Sequence, residues 1–261
     1  MLNFSNEVNV STCEYFPLFG ISLPRKHNPV IVSPIRNSKI SVNVELMRDE
    51  GLELIDAGEA LERYLFSFYR FVRDELNFNY GFRVVVGGPP TYKGFTYVAV
   101  TNAMARILAG RLTDEVYGFL NVVDSRLGVP ECVTALRLYD RVVGAYIWRY
   151  GDEAVKIEGL EASVKSVSSV TKAMYRNSIV GNEQVSNVLT HLIGQATIEV
   201  FKSLISRDVE MLHDYINLLN KVWESIYVLD EQYLRSYSSG NTYLYVRDFD
   251  EVLILEIELR L

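Results

Sequence analysis

The chain has 261 residues, 49% hydrophobic and 23% charged, an ordinary globular composition that suits one large domain or two lobes. Its net charge of −7 argues against nucleic acid as a partner, because phosphate backbones are held by basic surfaces. No uninterrupted apolar run approaches the ~20 residues that span a bilayer, and MLNFSNEVNV lacks the basic and apolar regions of a secretory signal. The expectation is a soluble cytoplasmic protein with no membrane partner. Cys13 and Cys132 match no zinc or redox spacing and read as buried thiols. His27, His191 and His213 lie far apart in sequence, so no histidine-built metal site is expected.

Taken in order, Val8 to Val10 and Ile40 to Val44 are strand-like; in the second, Ile40, Val42 and Val44 alternate with Ser41 and Asn43. Between them, LPRKHNPVIVSPIRN reads as a solvated connection or a substrate loop carrying Arg25, Lys26 and His27. Asp56 and Glu59 suggest a helix-starting box. Leu61, Tyr64, Leu65, Phe68 and Phe71 or Val72 follow at helical spacing and predict a core-facing stripe. Next come a strand over Phe82 to Val86, the break Gly87-Gly88-Pro89-Pro90, and a helix from Phe95 to Leu108. A glycine-bearing loop feeding a helix start is a common phosphate site, since free backbone N–H groups and the helix dipole converge there.

Helices are expected over Thr113 to Leu127 and over Glu131 to Tyr139, with Pro130 at the start of the second. Ala145 to Tyr150 and Glu153 to Ile157 read as a hairpin turning at Gly151-Asp152, and Ala162 to Val167 as a further strand. Two long helices follow. The first carries an apolar face of Val185, Val188, Leu189, Leu192, Ile193, Ala196, Val200 and Leu204. The second carries Leu212, Tyr215, Ile216, Leu219, Val222, Trp223 and Ile226, with a break at Ser206 to Asp208. Strands over Tyr243 to Val246 and Val252 to Leu261 end the pattern.

This order of elements resembles the GHMP kinase superfamily of galactokinases, homoserine kinases, mevalonate kinases and related decarboxylases. The family's phosphate loop runs roughly P-x-x-x-G-L-G-S-S-A. The segment Pro90-Thr91-Tyr92-Lys93-Gly94-Phe95-Thr96-Tyr97-Val98-Ala99 lies over it without a gap. Pro90, Gly94 and Ala99 match, Phe95 stands in for leucine, Thr96 replaces a glycine, and Tyr97 and Val98 replace both serines. The lost serines remove hydroxyls for phosphate and the magnesium shell, and Thr96 restricts the backbone where glycine would allow close approach.

The resemblance also implies a catalytic aspartate before a Gly-Gly strand start. Arg137 falls at that place, before Gly144-Ala145, and Asp140 lies one helical turn later. Asp140 reads either as a general base or as a surface carboxylate beside Arg141. Of the family's C-terminal glycine-rich turn only Gly240 is left, and Val167 to Ser178 is similar to a Ser-Ser-Thr run of the mevalonate-decarboxylase branch.

The resemblance implies an α+β, GHMP-kinase-like two-lobed fold. Residues 1–157 would form a ribosomal-protein-like βαβ lobe with its phosphate-loop segment at 87–99, and residues 158–261 a ferredoxin-like lobe. Candidate nucleotide-binding residues are Pro90, Lys93, Gly94, Thr96, Tyr97 and Gly240; candidate catalytic residues are Asp140 and Arg137. Three functions stay open. One is a lapsed homologue that binds a small anionic metabolite or a partner. Another is a divergent small-molecule kinase or decarboxylase using ATP and magnesium. The third is an interaction subunit, such as that of a homo-oligomer.

Overall fold

The computed structural model describes residues 6–21, 23, 26–88, 91–172, 176, 179, 181–228 and 242–261. The chain forms two compact units. The first takes Met1–Glu14 and Ser38–Val129, the second Tyr15–Asn37 and Pro130–Leu261. The sequence reading divides the chain once, at 157/158; the structural division interleaves it, because the long strands β1 (Glu7–Phe19) and β2 (Val30–Met47) each contribute to both units.

In the first unit β3 (Leu52–Ile55), α1 (Glu59–Leu76) and β4 (Gly81–Gly87) make a βαβ crossover. β3 runs parallel to β4 from Leu52 opposite Phe82 to Ile55 opposite Val85. A helix between adjacent parallel strands is the connection such a pair requires. β2 lies antiparallel on the other side of β4, from Ser41 opposite Gly87 to Met47 opposite Gly81. The α1 stripe is the expected one: Leu61, Leu65, Phe68 and Val72 are buried. The Asp56–Glu59 box does not form. Gly58 takes the N-cap place without a side-chain cap, and Asp56 has a left-handed backbone (φ 62°), which its short polar side chain tolerates. α2 (Lys93–Ala109) and α3 (Asp114–Leu127) complete this unit.

In the second unit the segment expected as a loop becomes strand from Val30 onward, since Val30, Ile31, Val32 and Ile35 are all buried in β2. β2 pairs antiparallel with β5 (Ala145–Trp148), and β5 with β6 (Val155–Ile157). Their connection is wider than a two-residue turn: it runs from Arg149 to Ala154, closed by the Asp152 N–H on the Arg149 carbonyl at 3.0 Å. The expected helix after Pro130 is a short α4 (Glu131–Thr134) continued as a 3-10 helix (Ala135–Asp140).

β7 (Glu161–Lys172) joins β2 in parallel at Ile35 opposite Ala162, then pairs antiparallel with β9 (Glu251–Arg260), which pairs with β8 (Thr242–Asp248). Between β7 and β8 run α5 (Glu183–Ser206) and α6 (Val209–Ile226). The α6 face is as expected. On α5 the inward residues are Ser186, Ile193, Ala196, Thr197, Val200 and Leu204, while Val185, Val188 and Leu192 are exposed. This helix is apolar over more than one face, so periodicity alone does not single out the buried one.

Candidate functional site

The first turn of α2 carries the sequence-predicted nucleotide residues. Tyr92, the N-cap residue, is extended (φ −130°, ψ 105°), and the Phe95 and Thr96 N–H groups bond back to its carbonyl at 3.2 and 3.3 Å. The Tyr92 N–H donates to Glu14 Oε1 at 3.1 Å. Glu14, from β1, is 1% exposed, and its second oxygen accepts a hydrogen bond from Ser38 Oγ. Thr91 Oγ1 lies 3.1 Å from Ser38 Oγ; with Ser38's proton on Glu14, Thr91 donates to Ser38. A carboxylate thus sits at the helix start, where the backbone N–H groups and dipole attract negative charge. The protein supplies that anion itself.

Around this carboxylate the helix start is packed. Tyr92, Phe95, Thr96, Tyr97 and Val98 are each 0% exposed, and Gly94 is buried. Thr96 Oγ1 turns back to the Tyr92 carbonyl at 3.4 Å. The Tyr97 hydroxyl donates to the buried Asp124 of α3 at 2.9 Å, and its ring meets Phe68 edge-on at 6.1 Å and Tyr64 at 6.5 Å. Thr96 and Tyr97 therefore serve the interior of the first unit. Lys93 is half-buried at the first helical position. Pro90 and Gly240 lie outside the described residues.

The catalytic candidates belong to the second unit. Arg137 sits within the 3-10 helix at 1% exposure, and a guanidinium so buried depends on acceptors around it. Asp140 is the half-buried last residue of the same helix. Cys132 is buried as expected, whereas Cys13 is half-buried. No described helix is long and apolar enough to cross a membrane. Glu14 is the residue sequence reading missed. Its signal was a lone carboxylate leading the apolar run Tyr15 to Leu18.

The architecture is the GHMP kinase fold. Homoserine kinase from Cytophaga hutchinsonii is similar at 12% identity and TM-score 0.57, over 98% of this chain and 87% of that one. L. major mevalonate kinase, solved with R-mevalonate, is similar at 17% identity and TM-score 0.59, over 96% and 88%. A protein solved with MVAPP, AMPPCP and magnesium is similar at 10% identity and TM-score 0.59, over 95% and 89%. No protein-family profile matches the sequence, and no curated protein matches it.

ATP and magnesium are the groups that this fold raises. A phosphate at the Tyr92 N–H would meet the Glu14 carboxylate already bonded there, and like charges repel at that distance.

Proposed function

We infer that this chain is a GHMP-type scaffold without ordinary kinase turnover, which acts by binding a small metabolite or a protein partner. The observation that carries this reading is the buried Glu14 carboxylate on the Tyr92 N–H. Phosphoryl transfer depends on positioned phosphates and neutralised charge, and an internal carboxylate opposes both. The substitutions at Thr96, Tyr97 and Val98 agree with it, because these side chains are committed to packing. An anionic metabolite, the ligand class the resemblance suggests, would need a surface other than the α2 start.

The competing reading is a divergent kinase with Asp140 as base. The two are separated by incubating the protein with ATP, magnesium and a panel of hydroxylated metabolites while phosphorylated product is measured. The present reading expects no product above background. Product formed at enzyme-like rates, and abolished by Asp140→Asn, would overturn it.

A further inference from the structure

The second unit holds a cavity of about 560 Å³, bounded by the His27–Pro29 segment, the β5–β6 connection and the middle of α5. Each element brings something specific. Gly20 (φ +107°) lies so close to Pro29 that a Cβ there would stand 2.5 Å from the Pro29 carbonyl oxygen. Asn28 is 3% exposed, and its Nδ2 donates to the Ile21 carbonyl at 3.2 Å. Among the described residues no donor meets its Oδ1, which borders the cavity 3.6 Å from where a Gly194 Cβ would stand. No buried side-chain oxygen among the described residues lacks a partner, so this oxygen is reached from the cavity and is a ready acceptor for a ligand N–H.

His27 is fixed from two sides. Its ring stacks on Tyr150 at 4.7 Å and 18°, and its Nδ1 faces Glu131 Oε1 at 3.0 Å. With an imidazole proton on Nδ1 donated to that carboxylate, the Nε2 of a neutral ring offers a lone pair. The β5–β6 connection adds Asp152 and Glu153. Among the described residues Arg149 is the one lysine or arginine on the cavity wall, and its Nε is already held by Asp152 at 2.7 Å. With neutral imidazoles the wall keeps one negative charge beyond that pair, with the carboxylate of Glu131 behind His27. Trp148, Ile147 and Ile198 supply apolar wall.

We propose that this cavity is a binding site for a small organic cation, a primary amine on an apolar body. Its ammonium is received by Asn28 Oδ1, His27 Nε2 and the Asp152–Glu153 carboxylates. An ammonium has three donors and no acceptor, which suits the Asn28 carbonyl oxygen and the Glu153 carboxylate, and the remaining N–H groups of Arg149 are the donors it competes with. Mixed cavities of this size with a few convergent polar groups are the usual form of small-molecule sites. The site is independent of the α2 start and stands whether or not nucleotide binds there.

The test uses three probes of equal size, n-butylamine, butyrate and 1-butanol, titrated into the full chain while the imidazole NMR signals of His27 and His191 are followed. Butylamine is expected to shift the His27 signals saturably, and butyrate and butanol to leave them in place. The exposed double variant Asp152→Asn, Glu153→Gln is expected to weaken butylamine binding by about tenfold or more with the melting temperature retained. Arg149→Ala, which removes the competing cation, is expected to tighten it. The proposal is overturned if butyrate or butanol binds as well as the amine. It is equally overturned if no probe saturates, or if the double variant binds butylamine like the native chain.

Discussion

Tyr97 shows how one substitution changes the use of a position. Where the related loop carries a serine, this chain places a phenol that reaches Asp124 at 2.9 Å and packs against Phe68. Tyr97→Phe removes a partner of a buried carboxylate and is expected to lower stability by about 1–3 kcal/mol in urea denaturation, with the ring packing retained. Tyr97→Ser also removes the ring and is expected to cost about 3–5 kcal/mol. A serine at this position therefore unsettles the core before its hydroxyl could serve a phosphate. The change from serine to tyrosine was legible in the sequence, and so was its consequence for hydroxyl placement. Its partner was not, because Asp124 lies 27 residues away on another helix. Glu14 was hidden for the same reason, since its contacts to Tyr92 and Ser38 span 78 and 24 residues.

Glu131 gives the residue scale a pH signature. Burial raises its carboxyl above the usual range, against the opposing pull of the His27 imidazole and the Tyr150 backbone N–H. Between the ordinary value of 4.5 and the raised one, the folded chain binds more proton than the unfolded chain. This group's contribution therefore falls as pH rises through that window. Denaturation midpoints of the native protein, compared with Glu131→Gln across that range, are expected to move against the native protein with rising pH. The effect should be larger in a His27→Gln background, where the imidazole's pull is gone. A difference that grows in favour of the native protein in that background would contradict the assignment.

At the scale of elements, caps and periodicity decide most of the fold. The break at Ser206 to Asp208 is a left-handed Arg207 (φ 56°) followed by Asp208, whose carboxylate accepts the Met211 N–H at 3.0 Å. Asp208→Ala is expected to cost about 1 kcal/mol, read as a lowered melting temperature. Both helices flanking this break were legible, because leucine, isoleucine and valine recur there at helical spacing and Asp208 is a strong capping residue. β1 and β2 were legible only in their middles. Their buried segments, such as Tyr15 to Phe19 and Val30 to Val32, do not alternate, and period two marks only a strand with one wet face. β3 was missed altogether: four residues are too few to show a period. The helix after Pro130 was anticipated, but its passage into a 3-10 helix leaves no mark in composition.

For the molecule as a whole, the fold and the chemistry point in different directions. The fold is similar to solved structures that include kinases and decarboxylases over at least 95% of this chain, at identities of 10–17%. Likeness at that level carries architecture, while function rests with the site. The α2 start holds an internal carboxylate, and the chain's net charge of −7 adds no general attraction for a nucleotide. Calorimetric titration with ATP and magnesium tests this most directly, with Glu14→Ala measured beside the native protein. The account predicts no heat of binding for the native chain and a gain of nucleotide affinity in a folded Glu14→Ala variant. Micromolar binding by the native chain, undiminished and unimproved by the substitution, would contradict it.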